Sequence, residues 1–236
     1  GIFCYDAKTR ALTTMSIPGA GVIWGVTHAN GMYVAVGADG NIYTRGDGDT
    51  SWTVASSSYG NLRDVTYADG KFIVACYGLG GRIITSEDGV NWTTITVDGG
   101  TQYYDTVAGG GGIIVATDWE GAISTCDSNG VWTTNVNCGF FSLYDVIYVE
   151  GVGFAAAGHD GSNGGAIYTS QDGKTWIPQE NVPNYGFHGI TYNHDSGKFM
   201  AVGDGGEVVE ITLSPSSLPP LELWEPGLGP GPGIND

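Results

Sequence analysis

The chain has 236 residues, of which 41% are hydrophobic and 14% charged, and 25 acidic against 8 basic side chains give a formal net charge of −17. This composition excludes a disordered chain, and the length is sufficient for one β domain with a sizeable buried core. The negative charge excludes nucleic acid and anionic membrane surfaces as partners, but it admits neutral sugars, cations and basic proteins.

The first element of the chain is a candidate hairpin within residues 1–17, GIFCYDAKTRALTTMSI. Two alternating segments flank a polar stretch, which is typical of two antiparallel strands. No complete repeat unit precedes these strands, so they could complete the last sheet of the fold and remove an open edge. The sequence leaves two alternatives open, a closing strand or a separate hairpin.

A unit of two strands then recurs five times, starting near residues 24, 62, 103, 143 and 187. In each unit a short first strand such as DVTYA is followed by a glycine turn and a nearly continuous apolar strand such as KFIVAC. A continuous apolar strand indicates burial on both faces. The aligned residues near the start of the first strands lie about 40 positions apart and are Gly25, Asp64, Asp105, Asp145 and Gly189.

A second hairpin follows in four of the units, at residues 40–52, 80–92, 121–132 and 164–176. Each copy has an alternating strand, a tight Asp/Gly/Asn turn and a tryptophan that opens the next strand. Aspartate bonds its own following backbone in such turns, and glycine accepts a positive φ. We interpret the turn aspartates and the tryptophans as structural; they are Asp47, Asp88, Asp127, Asp172, Trp52, Trp92, Trp132 and Trp176.

Four short antiparallel strands in about 40 residues are typical of a propeller blade. The repeats therefore predict an all-β fold, a single five-bladed β-propeller over residues 1–213. The fifth unit has a third strand within EVVEITL, residues 207–213, but no turn and tryptophan to begin a fourth.

Residues 214–236 differ in composition, because six of the nine prolines lie between Pro215 and Pro232. Proline removes ladder donors and favours extended chain, which predicts a Pro/Gly-rich tail or arm. Its LELW segment, residues 221–224, could dock on the body of the protein or on a neighbouring subunit or particle.

The hairpins SEDGVNW (86–92) and SQDGKTW (170–176) resemble the Asp-box, or BNR, repeat of sialidase-type β-propellers. Their compact form, with one residue fewer between Asp and Gly, is similar to repeats in bacterial and phage surface proteins and in photosystem assembly factors. The resemblance implies that the boxes are structural and lie on the face opposite the usual ligand site. It also implies a virion or cell-surface component, such as a phage decoration, tail or receptor-binding module.

The residues do not indicate an enzyme of the sialidase type. Such an enzyme needs three arginines converging on a carboxylate. Of the arginines of this chain, Arg10, Arg45, Arg63 and Arg82, only Arg63 and Arg82 could approach the ligand face. Hydrolysis by paired carboxylates stays as an alternative, that of a degenerate or unorthodox glycoside hydrolase. Asp64, Asp105 and Asp145 could ring the axis and hold a structural cation, or each could cap its own loop.

The cysteines are Cys4, Cys76, Cys126 and Cys138, and their spacing matches no zinc site. Cys76 lies in an apolar strand, where a buried thiol is ordinary. We favour four reduced cysteines, and hence assembly in a reducing cytoplasm.

The loops that join successive units share one end of a propeller with the loops between second and third strands. Aromatic rings beside carboxylates and amides at that end suit sugar recognition, because rings pack on the apolar sugar face and acceptors bind hydroxyls. Trp119 is the strongest candidate, since the equivalent loops have small residues, and the loop at 158–165 is lengthened. The candidate ligand-binding residues are Tyr77, Tyr104, Asp118, Trp119, Glu120, His159, Asp160 and Asn163.

The sequence thus predicts a non-enzymatic binding or assembly propeller that recognises a glycan or a protein surface. A pure protein–protein scaffold is the first alternative. No cofactor is expected. No apolar run reaches the roughly 18 residues that a spanning helix needs, so no membrane insertion is expected either.

Overall fold

The computed structural model describes residues 2–5, 10, 12–56, 59–78, 81–97, 103–137, 142–161 and 164–211. These residues form antiparallel strands, with one short 3-10 turn at Asp204–Gly206. No helix within these ranges is long and apolar enough to cross a membrane. The predicted all-β class is confirmed.

The strands form one two-stranded hairpin and five larger sheets. The hairpin contains β1 (Ile2–Tyr5) and β2 (Leu12–Met15). Sheet 1 contains β3 (Ile23–Ala29), β4 (Met32–Gly37), β5 (Ile42–Gly46) and β6 (Thr53–Ser56). Sheet 2 contains β7 (Asn61–Ala68), β8 (Lys71–Tyr77), β9 (Arg82–Ser86) and β10 (Thr93–Thr96). Sheet 3 contains β11 (Tyr104–Gly110), β12 (Ile113–Asp118), β13 (Ala122–Cys126) and β14 (Trp132–Asn137). Sheet 4 contains β15 (Ser142–Val149), β16 (Gly153–His159), β17 (Gly165–Ser170) and β18 (Ile177–Pro178). Sheet 5 contains β19 (Phe187–Asn193), β20 (Lys198–Gly203) and β21 (Val208–Ile211).

The core consists of a series of contacts between the faces of successive sheets. Alternate residues of a strand point to opposite faces, so each second strand serves two neighbours. In β8, Phe72 and Val74 pack with Val34 of sheet 1, whereas Ile73 and Ala75 pack in the cluster shared with sheet 3. This explains why the second strands are nearly continuous runs of apolar residues.

The N-terminal hairpin forms a two-stranded sheet of its own. β2 pairs with β1, and within the described ranges neither strand pairs with sheet 5. Ile2 packs in one cluster with Ala35 and Tyr43, on the face of sheet 1 that is turned away from sheet 2. That this segment closes the last sheet of the fold stays a prediction.

The turns between third and fourth strands lie at what we call the lower end of the sheets, beside the turns between first and second strands. In sheet 2, Oδ1 of Asp88 accepts hydrogen bonds from the backbone N–H groups of Val90 and Asn91 at 2.8 and 2.7 Å. These bonds hold the pKa of Asp88 well below its usual range. Trp92 donates its indole N–H to the carbonyl oxygen of Gly89 at 3.0 Å and so closes the turn.

The same arrangement recurs in sheet 4. Asp172 accepts from the N–H groups of Lys174 and Thr175, and Trp176 donates to the carbonyl of Gly173 at 2.9 Å. In sheet 3, Asp127 accepts from the N–H groups of Asn129 and Val131.

The first copy departs from the prediction. In sheet 1 the carboxylate that binds the turn backbone is Asp49, which accepts from the N–H of Gly46 at 2.9 Å. Asp47 instead lies 2.7 Å from Nε2 of His28. The reason is that Gly48 stands at the position of Asp88, while Asp47 and Asp49 flank it, so the capping carboxylate comes from the following residue. Trp52 packs beside the cluster that the hairpin forms with sheet 1.

Of the cysteines, Cys76 and Cys126 are buried free thiols, and burial raises the pKa of Cys76 to about 12. The side chains of Cys4 and Cys138 and the whole segment 212–236 lie outside the described residues, and so do the expectations that concern them.

Candidate functional site

The first strand of every large sheet contains one extra residue near its upper end, which is the end opposite the Asp/Gly turns. The pairing register between first and second strands shifts by one residue at the same place in all five sheets. Such a β-bulge re-aims a side chain. The five bulge residues are Trp24, Arg63, Asp105, Tyr144 and His188.

The bulges correct one part of the sequence alignment. Asp64 pairs with Ala75, Asp145 with Ala157, and the residue of sheet 3 in the same position is Thr106, which pairs with Thr117. Asp105 is therefore equivalent to Arg63 and not to Asp64. The three aspartates do not occupy one ring of equivalent positions.

Asp64 and Asp145 bind the backbone of the next sheet. Oδ2 of Asp64 accepts from the N–H of Val107 and from Thr106 Oγ1, both at 3.0 Å. Oδ2 of Asp145 accepts from the N–H of Ile190 at 2.8 Å. The carboxyl groups lie between sheets, and this burial raises the pKa of Asp64 and raises that of Asp145 to about 6.

These contacts resemble the loop caps considered above, except that they reach a neighbouring sheet. Asp105 has a different partner, since its Oδ1 lies 3.3 Å from Nε of Arg63. In the part of the chain that the structure describes, no three histidine, cysteine, aspartate or glutamate side chains are grouped so that they could hold a metal ion.

The bulge residues of sheets 1 and 2 begin a row of side chains that we call the aromatic ledge. It consists of four aromatic rings and one arginine, which are Trp24, Arg63, Tyr77, Tyr103 and Trp119. The guanidinium carbon of Arg63 lies 3.7 Å from the ring centre of Trp24 and 4.5 Å from that of Tyr77. Tyr77 in turn lies 5.0 Å from Tyr103 and 6.4 Å from Trp119, measured between ring centroids.

The outer rings of the ledge are accessible to solvent. Trp119 is 49% exposed and Tyr103 is 39% exposed. The backbone carbonyl of Trp119 accepts a hydrogen bond from Ser142 Oγ at 2.6 Å, which ties this turn to sheet 4. The ledge therefore presents exposed rings, and the turn of Trp119 is tied to sheet 4.

The bulge residues of sheets 4 and 5 form a second group of rings at the upper end. Tyr144 stacks on His188 at 5.2 Å between ring centroids, and its hydroxyl lies 2.9 Å from Nε2 of His159. Nε2 of His188 lies 2.8 Å from Oδ1 of Asp204. Tyr144 and His188 are exposed.

Two of the predicted ligand-binding residues are wrong. Tyr104 is fully buried between sheets 2 and 3, stacked on Trp132, and burial raises its pKa to about 12. Asp118 is also buried, and its Oδ1 accepts from the N–H groups of Glu120 and Ala122 at 2.9 and 2.8 Å. Neither side chain is accessible to a ligand.

The other predicted residues lie at the upper end. Tyr77 and Trp119 belong to the aromatic ledge, Glu120 is exposed next to Trp119, and His159 belongs to the second group of rings. Asp160 accepts from the N–H of Gly164 at 2.7 Å and so shapes its own loop. Asn163 lies outside the described residues.

The candidate residues of the sequence analysis do not include Arg63, Tyr103, Tyr144 and His188, which the structure places at the upper end. A pattern was present, because each bulge residue stands one position before the residue that restores the register. That position is aromatic or charged in the first four units and histidine in the fifth.

The upper end is also acidic. Its exposed carboxylates among the described residues include Asp39, Glu120, Asp204 and Glu207. The arginines there are Arg63 and Arg82, and Arg63 is already paired with Asp105. The upper end therefore combines exposed rings with exposed carboxylates.

No protein-family model matches the chain, and no curated protein matches its sequence. Solved structures do match its fold. The WD40 repeats of RRP9 superpose with a TM-score of 0.68 at 8% sequence identity, over 85% of this chain and 66% of theirs. YCF48 from Cyanidioschyzon merolae matches with a TM-score of 0.60 at 15% identity, over 85% of this chain and 72% of its own.

A structure of YCF48 bound to D1 peptide matches with a TM-score of 0.63 at 19% identity, over 83% of this chain and 66% of its own. At these identities the likeness concerns the fold alone, and it establishes a β-propeller. The chain spans just under two thirds of the RRP9 structure, at 66% of its length.

Proposed function

We propose that this chain is a non-enzymatic propeller that binds a protein partner through its upper end. The observation that carries the proposal is the exposed aromatic ledge. Exposed aromatic rings and arginine are the residue types that most often dominate protein interfaces. The ledge has both, and it is held by an ion pair and by the bond from Ser142 to Trp119.

The fold comparison supports a protein partner over a small molecule. YCF48 has been solved with a bound D1 peptide. For the present chain a peptide segment lying across the ledge would cover Trp119 and Tyr103. These two rings and Trp24 are the exposed rings of the ledge.

The test is a selection of random displayed peptides on the immobilised chain. We expect selected peptides to lose binding to Trp119→Ala and to keep binding to Val131→Ala. Val131 is the matched control, because it is 58% exposed and lies in an Asp/Gly turn at the lower end. Failure to select peptides that depend on Trp119 would overturn the proposal.

A neutral glycan is the second candidate, and the exposure of Trp119 beside Glu120 favours it. One exposed ring contributes roughly 0.5–1.5 kcal/mol by analogy with aromatic pairs, so affinity would be near millimolar, about −4 kcal/mol. Useful binding would then need many copies. A glycan array probed with multivalent wild type and Trp119→Ala decides this, since equal signals would remove the glycan.

The wider setting also remains a proposal. We propose that the five sheets are five blades of one propeller, and that it serves in a virion or at a cell surface after assembly in a reducing cytoplasm. An experimental structure with six or seven blades in one chain would contradict the first point. Localisation of the tagged protein would test the second.

The absence of enzymatic activity is proposed on chemical grounds. Arg45 lies at the lower end, over the rings of Tyr33 and Trp52, and Arg63 is held by Asp105. Among the described residues Arg63 and Arg82 are the arginines of the upper end, so three converging arginines are lacking there. Turnover of any member of a chromogenic glycoside panel would overturn this.

For the tail, we propose that residues 214–236 contact a neighbouring subunit or particle. Deleting them should leave the body folded and weaken assembly. Assembly that is unchanged after the deletion would contradict the idea.

A further inference from the structure

We propose that the partner is recognised through an arginine or lysine side chain that stacks on the outer rings of the aromatic ledge, at Trp119 and Tyr103. This inference rests on the proposed function and specifies its chemistry. A cation placed over an aromatic ring is attracted by the negative face of the ring, most strongly by tryptophan.

The molecule already shows this chemistry within itself. The guanidinium of Arg63 is held between Trp24 and Tyr77, at 3.7 and 4.5 Å from their ring centres. Asp105 provides the carboxylate at 3.3 Å from Nε of Arg63. One end of the ledge thus contains a cation, two ring faces and an acid.

The other end of the ledge has the same rings and acid without a cation. Trp119 and Tyr103 are exposed, Tyr77 lies between them and Arg63, and Glu120 is exposed next to Trp119. Among the described residues no lysine or arginine is found within cation–π distance of Trp119 or Tyr103. An incoming arginine would extend the row by one more stacked cation.

Charge complementarity favours a basic partner over an acidic or neutral one. The formal net charge is −17, and the carboxylates at the upper end outnumber its arginines. Carboxylates around a site attract a basic segment from solution, and like charge repels an acidic one.

The test uses three short peptides of the same length, in which glycine alternates with arginine, with citrulline or with glutamate. Citrulline has nearly the shape of arginine and no charge. Binding is measured by titration for the wild type, Trp119→Ala, Glu120→Gln and the lower-end control Val131→Ala. We expect the arginine peptide to bind roughly tenfold more tightly than the citrulline peptide.

Trp119→Ala should remove most of that preference, Glu120→Gln part of it, and Val131→Ala none. Equal affinity of wild type for the arginine and citrulline peptides would overturn this inference. A preference for the arginine peptide that survives Trp119→Ala would also overturn it, because it would indicate attraction by net charge alone. The proposed function would still stand in both cases if displayed peptides that depend on Trp119 were found, so the two failures are distinguishable.

Discussion

Oδ2 of Asp64 accepts a hydrogen bond from the backbone N–H of Val107, 43 positions away, at 3.0 Å. The bond joins the first strand of sheet 2 to the first strand of sheet 3. Asp145 makes the equivalent bond to Ile190 between sheets 4 and 5. The upper end is therefore held together by carboxylates that bind the backbone of a neighbour, directly beneath the bulge residues that form the candidate site.

Replacing Asp64 by alanine should destabilise the protein by about 1–3 kcal/mol, because the N–H of Val107 would be left buried without an acceptor. Asp64→Asn keeps an acceptor oxygen and should cost less. The measurement is urea denaturation of the two variants, with Asp195→Ala in an exposed turn as the control. An Asp64→Ala variant as stable as the wild type would show that the bond does not matter.

Asp145 should make stability depend on pH. Burial raises its folded pKa to about 6, above the ordinary value of 3.8. Between about pH 4 and 6 the folded state takes up a proton that the unfolded state does not, so this group adds stability as the pH falls through that window. The full effect is at most about 3 kcal/mol.

Asp145→Asn should abolish this contribution, because it is neutral at every pH. The quantity to measure is the difference in unfolding free energy between wild type and variant from pH 4 to pH 7. We expect the stability of Asp145→Asn to increase relative to that of the wild type as the pH rises. If the unfolding free energies of the two proteins change in parallel with pH, the raised pKa of Asp145 is refuted. Asp195→Asn provides the control for other carboxylates.

Trp176 and Trp119 allow the same substitution to be compared in two environments. Trp176 is 8% exposed, lies 6.3 Å from the ring of Phe154 and closes an Asp/Gly turn. Trp176→Ala should cost about 3–5 kcal/mol of stability. Trp119→Ala should change the free energy of unfolding by no more than about 1 kcal/mol, because this ring is half exposed. Thermal melts of the two variants decide the matter, and similar melting points would contradict the division into structural and binding tryptophans.

Gly158 lies opposite the bulge of sheet 4, where it pairs with Leu143. A Cβ at this position would overlap the carbonyl oxygen of Ser142. Gly158→Ala should therefore cost about 1–3 kcal/mol and move Tyr144, because the backbone must shift. Gly48→Ala is the control, since no atom lies within 4 Å of its added Cβ. Denaturation curves that coincide for both variants would mean that the bulge tolerates the methyl group.

Much of the fold could be predicted from the sequence because the relevant physics is local. Alternation, turn chemistry and repeat spacing predicted the four-stranded sheets, and the structure places Asp88 and Asp172 in the turns as expected. Trp119 was also predicted at the upper end, and the structure places it there as an exposed ring, whereas ligand binding at this end stays a prediction. In these cases neighbouring residues of the chain contain all the information.

What only the tertiary structure decided is the position of single side chains at the meeting of two sheets. Because each first strand has a bulge of one residue, Asp105 occupies the position equivalent to Arg63 and not a place in the expected ring of carboxylates. Tyr104 and Asp118 were expected on the surface and are buried. Tyr104 lies before the bulge, at the position of the buried Leu62 and Leu143, and Asp118 pairs with it. The sequence by itself determined the repeat and its turns, whereas the placement of Arg63 between Trp24 and Tyr77 depends on how tightly sheets 1 and 2 pack, which no local pattern contains.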